Sequence, residues 1–286
     1  RLAGTVTVVP YANPIGSGQH LFGAHAGRFS LGSRVNFNRD FPLIDSPDPS
    51  LLPGDDAPLA AEERLKARLL ALSLGHQIVL DLHCDDEAPS YLYVQKPLWP
   101  ALADLAAALG SAAALVWDVS SNGAFDEAAL RPWLRTEDAA TVSRRVVATV
   151  EFRGEGDVSP ALARADADGL YRFLVHRGVI VDGGVEPLPA WTGAAVPLEN
   201  VEMVKATVGG AILYHVSPGD RVRAGDRLAS ILTDPGAPGG EAVIVAPQDG
   251  LVLTRQRRRF AQVGGDLLKL LGSRPSERAK PGTLED

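Results

Sequence analysis

The stretch "IVLDLHCDDEAPSYLYV" at residues 78–94 carries the pattern on which the fold assignment depends. It begins with Ile78 to Leu82, an apolar and β-branched run that is typical of a buried strand. The run ends in Asp81-Leu82-His83, and a thiol and three carboxylates follow at residues 84–87. A histidine at a strand end can be a metal ligand, a catalytic base or an ordinary hydrogen-bonded residue. Its role therefore depends on partners elsewhere in the chain.

Strand and helix patterns alternate on both sides of this stretch. Residues 4–10 and 145–152 are similar apolar runs, and both are predicted to be buried, parallel strands. One helix is predicted after Asp56, which can cap it, and another between Ser159 and Gly178, which supply a capping hydroxyl and a terminating glycine. Alternating strands and helices indicate an α/β domain.

Changes in composition divide the chain into four parts. The α/β pattern covers residues 1–182, and residues 183–199 are rich in Pro and Gly, which predicts a linker. Short strand patterns separated by turns follow at residues 200–271. The polar tail at residues 272–286 is predicted to be disordered.

The third part contains an internal repeat. The segment from Ala206 and the segment from Ala246 match without a gap at an offset of 40 residues, and Gly210 matches Gly250. Such a repeat predicts a β structure made of two similar halves. It resembles the biotinyl/lipoyl-like barrel-sandwich fold, whose carriers display a lysine on the hairpin between the halves. The corresponding hairpin at residues 233–245 has no lysine, so a swinging-arm carrier is not expected.

The bulk composition restricts the partners and the compartment. A net charge of −7 argues against a nucleic-acid partner and against an anionic membrane surface. One basic run at residues 255–260 is interpreted as a solvated strand or turn. The longest apolar stretch, at residues 105–117, is too short to span a bilayer. The single cysteine predicts a reducing, cytoplasmic location.

Three elements of the α/β part could act together. His83 could bind zinc, although taken alone it is better explained by a hydrogen bond to a backbone carbonyl. Asn38 and Arg39, in "NFNRDFP", offer an amide and a planar guanidinium that suit a carboxylate, or they follow a surface turn. Glu151 ends an apolar strand, where burial can make a carboxylate a useful base, or it pairs with Arg153.

Taken in order, an Asn-Arg pair, a strand-borne histidine and a strand-end glutamate resemble the succinylglutamate desuccinylase/aspartoacylase family of the zinc carboxypeptidase clan. The resemblance covers most of residues 1–182, and a lipoyl-like C-terminal domain also occurs in that family. It implies a mixed, mostly parallel zinc-carboxypeptidase-like sheet flanked by helices, followed by a small all-β barrel-sandwich domain.

The same resemblance implies roles for individual residues. His83 corresponds to a zinc ligand, and Asn38 and Arg39 correspond to the pair that holds a substrate carboxylate. Glu151 corresponds to the general base that activates water. The implied reaction is zinc-dependent hydrolysis of the amide bond of an N-acyl amino acid or a similar small carboxylate. A homo-oligomer is compatible with this assignment.

The sequence departs from the family pattern in one respect. The family's other two zinc ligands lie in an H-x-x-E motif, which the 286 residues do not contain. His25 has an arginine three positions later, and neither His20 nor His25 is expected to replace a ligand. The two missing ligands are therefore expected upstream of Arg1, in an N-terminal part that is not in this sequence.

Three other functions stay open. A carboxypeptidase-like peptidase could use the same Asn-Arg pair to hold the end of a peptide. A non-catalytic binding protein could keep the fold with a decayed zinc site. A cysteine hydrolase could use Cys84, but His83 is its neighbour on a strand, where adjacent side chains point to opposite faces.

Overall fold

The computed structural model describes residues 1–54, 56–118, 123–277, 279 and 284. It contains a mainly parallel five-stranded sheet, two four-stranded antiparallel sheets and a two-stranded hairpin. This mixed α/β architecture confirms the predicted combination of a mostly parallel sheet with a separate all-β part. The helices are α1 (Pro14–Ser17), α2 (Ala61–Ser73), α3 (Ala103–Leu109), α4 (Phe125–Thr136), α5 (Ala139–Val142) and α6 (Pro160–His176).

The strands of the N-terminal two thirds are β1 (His20–Leu21), β2 (Ala24–His25), β3 (Ile78–Asp85), β4 (Tyr91–Gln95), β5 (Ala113–Trp117), β6 (Val146–Gly154) and β7 (Ala194–Pro197). The remaining strands are β8 (Val201–Lys205), β9 (Gly210–Tyr214), β10 (Arg221–Val222), β11 (Arg227–Leu232), β12 (Glu241–Val245), β13 (Gly250–Arg255), β14 (Phe260–Ala261) and β15 (Asp266–Gly272). Short 3-10 turns lie at Pro49–Leu51, Lys96–Leu98 and Leu198–Asn200.

The main sheet has the strand order β3-β6-β4-β5-β7. Three of its four pairings are parallel, and β4 runs antiparallel to β6. The predicted strands at residues 78–83 and 145–152 are confirmed as β3 and β6, which are neighbours. Burial of the apolar residues of β4, β5 and β6 against the helices provides the core of this part.

The prediction of a strand at residues 4–10 is wrong. This segment has no regular structure and is exposed throughout, although it is β-branched and apolar. Its side chains contact the rest of the α/β part at Thr7, whose Oγ1 lies 2.9 Å from Nε2 of His76. Strand formation needs a partner for the backbone hydrogen bonds, and in the part of the chain that the structure describes this segment has none. β3 consequently lies at the edge of the sheet.

The two helix predictions fared differently at their N-termini. α2 begins at Ala61, later than Asp56 suggested, and the Glu63 carboxylate accepts a hydrogen bond from the Ala60 N–H at 3.0 Å. α6 begins as predicted, because the Ser159 hydroxyl accepts a hydrogen bond from the Leu162 N–H at 3.2 Å. Gly178, two residues after α6, has the positive φ of 72° that suits a residue without a side chain.

The segment predicted as a linker contains a strand of the main sheet. β7 pairs in parallel with β5, so the α/β part continues to Pro197. Its four residues, Ala-Ala-Val-Pro, are too short and too small to give a strand pattern against the surrounding Pro and Gly. Of the tail predicted to be disordered, residues 278, 280–283 and 285–286 lie outside the described residues.

The β domain, which we define as residues 201–272, follows the internal repeat strand by strand. The strands β8, β9, β10 and β11 recur about 40 residues later as β12, β13, β14 and β15. One sheet has the order β10-β13-β15-β8 and the other β12-β11-β9-β14. Exchanging the two halves of the repeat converts one order into the other, so the halves are related by a pseudo-two-fold exchange.

The β domain packs directly on the main sheet. One apolar cluster contains residues of β4 and β5 together with residues of β8, β13 and β15, among them Tyr91, Leu115, Val201, Leu253 and Leu271. Such a shared core fixes two parts of a chain relative to each other. None of the helices in the described ranges is long and apolar enough to cross a lipid bilayer.

Candidate active site

The predicted site residues meet at the carboxyl ends of β3 and β6. These two strands are parallel neighbours, and His83 is the register partner of Glu151. Side chains at equivalent positions of paired strands lie on the same face of a sheet. Asn38, Arg39, His83 and Glu151 all line one cleft of about 2190 Å³. The carboxyl ends of strands are also where open α/β sheets bind their ligands.

His83 is held by the aspartate two residues before it. Nε2 of His83 lies 2.9 Å from Oδ2 of Asp81, because residues i and i+2 of a strand share a face. Burial disfavours the charged imidazolium, but the charge and hydrogen bond of Asp81 outweigh burial and raise the pKa of His83 to about 9. A metal would have to replace this proton, because a histidine ligand must be neutral.

Asn38 completes the polar contacts of His83. Its Oδ1 accepts a hydrogen bond from the Phe125 N–H at 2.9 Å, which orients the amide so that Nδ2 faces β3. Nδ2 lies 3.5 Å from Oδ2 of Asp81 and 3.2 Å from Nε2 of His83. The loop residue Asn38 is thus fixed between the N-terminus of α4 and the end of β3.

Arg39 lies in the same loop and is half-buried. Its NH1 donates a hydrogen bond to the carbonyl oxygen of Asn38 at 2.6 Å, which folds the side chain back over the loop. A guanidinium has five N–H donors, so this single bond leaves donors for a carboxylate in the cleft. Asn38 and Arg39 are therefore brought to the same place as His83.

Glu151 is a buried carboxylate of the cleft. The residue is 9% exposed, and Oε2 has no hydrogen-bond partner among the residues that the structure describes. Burial raises the pKa of Glu151 to about 7, against the opposing charge of His83. A carboxylate that titrates near neutral pH can both take up and release a proton during a reaction.

The alternative partner considered for Glu151 is not used. Arg153 instead forms an ion pair with Asp166 of α6. The pairing of β3 with β6 shifts between His83 and Asp85, and Arg153 has a φ of 108°, which is strained for a residue with a side chain. This bulge interrupts the pairing directly after Glu151, the pairing resumes at Gly154, and the Arg153 side chain contacts α6.

Two further acids belong to the site and were not predicted as site residues. Asp126, in the first turn of α4, is buried, and burial and the charge of Asp81 raise its pKa to about 6. Acidic residues in the first turn of a helix are common because of the helix dipole, so nothing in the local pattern singles out Asp126. Asp81 could have been found from the strand period, which places it on the face of His83.

The residues present do not make a complete zinc site. Within the described ranges, no group of three or more His, Cys, Asp and Glu side chains could hold a metal ion. His25, which was not expected to be a ligand, contacts the Gly16 carbonyl oxygen through Nε2 at 3.1 Å. A catalytic zinc takes three protein ligands, so His83 and its carboxylate neighbours do not meet this requirement by themselves.

Cys84 has the properties of a poor nucleophile. Desolvation of the thiol and the charge of Glu151 raise the pKa of Cys84, although the residue is exposed at the surface. A thiol with a raised pKa is mostly protonated at neutral pH, and the thiolate is the reactive form. The cysteine-hydrolase alternative thus gains nothing from the geometry.

The fold and the cleft together define an α/β protein with a charged site at the carboxyl ends of its strands, which is the arrangement of many small-molecule enzymes. The family model described as the succinylglutamate desuccinylase/aspartoacylase catalytic domain matches residues 1–177. The chain therefore belongs to this family, and its membership suggests deacylase activity. No curated protein sequence gives a significant match to the chain.

Solved structures agree with the family assignment. A succinylglutamate desuccinylase/aspartoacylase family protein from Shewanella amazonensis has 25% identity and a TM-score of 0.80, over 92% of this chain and 80% of that one. A protein of the same description from Shewanella frigidimarina has 26% identity and a TM-score of 0.77, over 93% and 80% of the two chains. The ectoine utilization protein EutE (DoeB) from Ruegeria pomeroyi shares the fold, with 18% identity and a TM-score of 0.62, over 87% and 70%.

Proposed function

We propose that this protein is an amidohydrolase that removes the acyl group from an N-acyl amino acid or a similar small carboxylate. The observation that carries the proposal is the pairing of His83 with Glu151 on adjacent strands, where Glu151 is buried and has a pKa of about 7. Family membership supports the reaction class, because the family model describes a desuccinylase/aspartoacylase catalytic domain.

The chain's own residues supply substrate binding. Arg39 would bind the substrate carboxylate through its planar N–H fork, and the two N–H groups of such a fork match the two carboxylate oxygens. Asn38 would stay fixed by the Phe125 N–H and present its amide beside the same carboxylate. Holding the carboxylate places the amide bond of the substrate over the ends of β3 and β6.

Glu151 would carry out the proton transfers. It accepts a proton from a water molecule while the water oxygen forms a bond to the acyl carbon. The same proton is then delivered to the nitrogen as the carbon–nitrogen bond breaks, which yields a carboxylic acid and a free amine. A base with a pKa near the working pH is suited to both transfers, since neither form is strongly favoured.

Zinc dependence is a further part of the proposal. His83 is the residue that would bind the ion, and the remaining ligands would have to come from outside the set that the described residues bring together. The incomplete ligand set also supports a second candidate, a binding protein of the same fold that holds a small carboxylate without hydrolysing it. The cytoplasmic location expected from the single cysteine stays a prediction.

The test is a hydrolysis assay on the full-length protein with a panel of N-acyl amino acids, read as release of free amine, with added zinc and with a chelator. Short peptides with a free carboxyl terminus form the second arm of the panel. Release of amine from the N-acyl amino acids supports the proposal, and zinc dependence appears as loss of the rate with the chelator. Turnover of peptides alone indicates the peptidase. Carboxylate binding without turnover under all conditions indicates the non-catalytic protein.

A further inference from the structure

The segment that follows β3 is held by the β domain. Glu87 and Arg255 exchange backbone hydrogen bonds, at 3.2 Å from the Glu87 N–H and at 3.0 Å from the Arg255 N–H. The Glu87 carboxylate also pairs with the Arg255 side chain and accepts a bond from NH2 of Arg259 at 2.6 Å. The basic run at residues 255–260, which was interpreted as solvated, thus supplies contacts between the two parts of the molecule.

Lys269 continues these contacts between the two parts into the interior. Its side chain is 9% exposed, and Nζ lies 2.6 Å from Oδ2 of Asp85, 3.4 Å from the Tyr91 hydroxyl and 3.5 Å from the Tyr93 hydroxyl. Tyr91 also donates its hydroxyl to Oδ2 of Asp85 at 2.6 Å. A buried ammonium is costly unless it is paired and hydrogen-bonded, and here the α/β part supplies every one of these partners.

The internal repeat indicates that the β domain does not need this lysine in order to fold. The position 40 residues before Lys269 is Ala229, which occupies the corresponding place in β11 and is fully buried. One half of the repeat therefore packs this position with a methyl group. In the other half this position carries a cation whose hydrogen-bond partners lie in the α/β part. We therefore expect Lys269 to serve the contact with the α/β part.

The partners of Lys269 adjoin both sides of Glu151. Asp85 lies two residues after His83 on β3, and Tyr91 is the register partner of Glu151 on β4. Glu151 thus has His83 on one neighbouring strand and Tyr91 on the other. Lys269, Asp85 and Glu151 line the same cleft. A shift of the Lys269 cluster would move the strand ends between which the base is held.

We propose that Lys269 is a positioning residue for the hydrolytic site. Its ammonium fixes Asp85 and the Tyr91 hydroxyl, and through them the strand ends that carry His83 and flank Glu151. Turnover consequently depends on the docking of the β domain, which acts as a clamp on the site. The catalytic part of this inference rests on the proposed amidohydrolase function, whereas the clamping of β3 does not.

The kinetic test compares Lys269→Met, Asp85→Asn and the double variant in the full-length protein. We expect each single variant to lower kcat by about tenfold or more with KM within about threefold, because neither group is assigned to the substrate. The double variant should be no slower than the slower single variant, since two residues that act as a unit are non-additive. Lys269→Arg, which keeps the charge, should retain more of the rate than Lys269→Met.

A matched control and a structural readout separate this inference from the proposed function. Lys96→Met removes a lysine that pairs at 2.8 Å with Asp118 on the surface, and it should change neither rate nor exchange. Hydrogen exchange of residues 83–88 should become faster in Lys269→Met and Asp85→Asn, with circular dichroism showing that both stay folded.

The outcomes are distinct. Faster exchange together with the kcat loss supports the inference. Unchanged exchange in both folded variants overturns it, and so does a wild-type kcat in Lys269→Met. If the wild-type protein hydrolyses nothing, the proposed function fails and exchange alone decides whether Lys269 clamps β3. If Lys269→Met does not fold, Asp85→Asn carries the same decision, because it removes the carboxylate that Lys269 holds at 2.6 Å.

Discussion

Apart from Lys269, the buried polar side chains of the β domain are neutral, whereas the α/β part also buries carboxylates. In the β domain, the Ser230 hydroxyl lies 2.7 Å from Nε2 of His215, and Oε1 of Gln248 accepts bonds from two backbone N–H groups at 3.1 and 3.2 Å. In the α/β part, burial raises the pKa of Glu151 to about 7 and that of Asp126 to about 6. Neutral, satisfied groups stabilise a fold, whereas buried acids with raised pKa values are typical of active sites.

The two parts are joined by charged side chains as well as by a shared apolar cluster. Lys269 is a buried cation of the β domain, and its hydrogen-bond partners Asp85, Tyr91 and Tyr93 all belong to the α/β part. A buried ion pair is weak evidence for stability in itself, but it specifies one arrangement of the groups around it. We infer that the β domain holds the strand ends of a site whose reacting groups belong to the α/β part.

The largest expected effect concerns the base. Glu151→Gln should lower kcat by about 10²–10⁴-fold, because an amide cannot accept the proton of the attacking water. The fold should persist, since a neutral amide of nearly the same shape is easier to bury than a carboxylate. The measurement is kcat and melting temperature beside Glu186→Gln, an exposed control. A Glu151→Gln enzyme with more than a tenth of the wild-type kcat would contradict the assignment.

The next effect concerns substrate binding. Arg39→Ala should raise KM by about 10–100-fold with a smaller change in kcat, because a charge-assisted pair to the substrate carboxylate is lost. Arg68→Ala, which removes an exposed arginine of α2, serves as the matched control. Steady-state kinetics on one N-acyl amino acid decide the matter. A fall in kcat at unchanged KM would mean that Arg39 does not hold the carboxylate.

A smaller effect is expected on the stability of the repeat. A Cβ at Gly210 would lie 2.2 Å from the Leu232 carbonyl oxygen, and a Cβ at the matching Gly250 would lie 2.5 Å from that of Leu271. Gly210→Ala and Gly250→Ala should each cost about 1–3 kcal/mol, because backbone atoms must move. Gly209→Ala, whose Cβ would meet only an ordinary 3.5 Å contact, is the control in thermal unfolding. Equal melting temperatures for all three would show that the paired strands β9 and β11, and β13 and β15, do not approach each other this closely.

No effect is expected at Cys84. Alkylation of this exposed thiol should leave kcat and KM unchanged, because no role is assigned to Cys84 and adjacent side chains on a strand, here His83 and Cys84, point to opposite faces. Mass spectrometry confirms the extent of modification, and a Cys84→Ala variant treated with the same reagent controls for other targets. A proportional loss of activity with modification would revive the cysteine mechanism.

The repeat and the apolar runs in the sequence predicted the strands of the β domain and two strands of the main sheet. The 40-residue offset gave the strands of the β domain, because each half supplies the same pattern twice. The apolar runs gave β3 and β6. The run at residues 4–10 looked equally strand-like and is not in the sheet, since sheet membership depends on a backbone partner that no local pattern reveals. β7 was missed for the converse reason: its four small residues pair with β5 without a pattern of their own.

The candidate site likewise contains residues that short motifs predict and residues that they do not. Asn38, Arg39, His83 and Glu151 were found from short motifs, and the structure brings them to one cleft. Their assigned roles stay predictions. Asp126 and Lys269 were not predicted: Asp126 has the position of an ordinary first-turn acid, and Lys269 is one charge in an apolar strand. Both depend on packing between distant elements, α4 on β3 and the β domain on β4, which the sequence does not specify locally.

The most direct test of the central claim is the pH dependence of kcat/KM for the best N-acyl amino acid substrate. Glu151 must be ionised to accept a proton, and burial raises its pKa to about 7, so the rate should rise with pH through an inflection near 7. Below this pH the protonated acid is inactive as a base, and kcat/KM should fall about tenfold per pH unit. A profile that is flat from pH 5 to pH 8, or an inflection that remains in Glu151→Gln, would contradict Glu151 as the base.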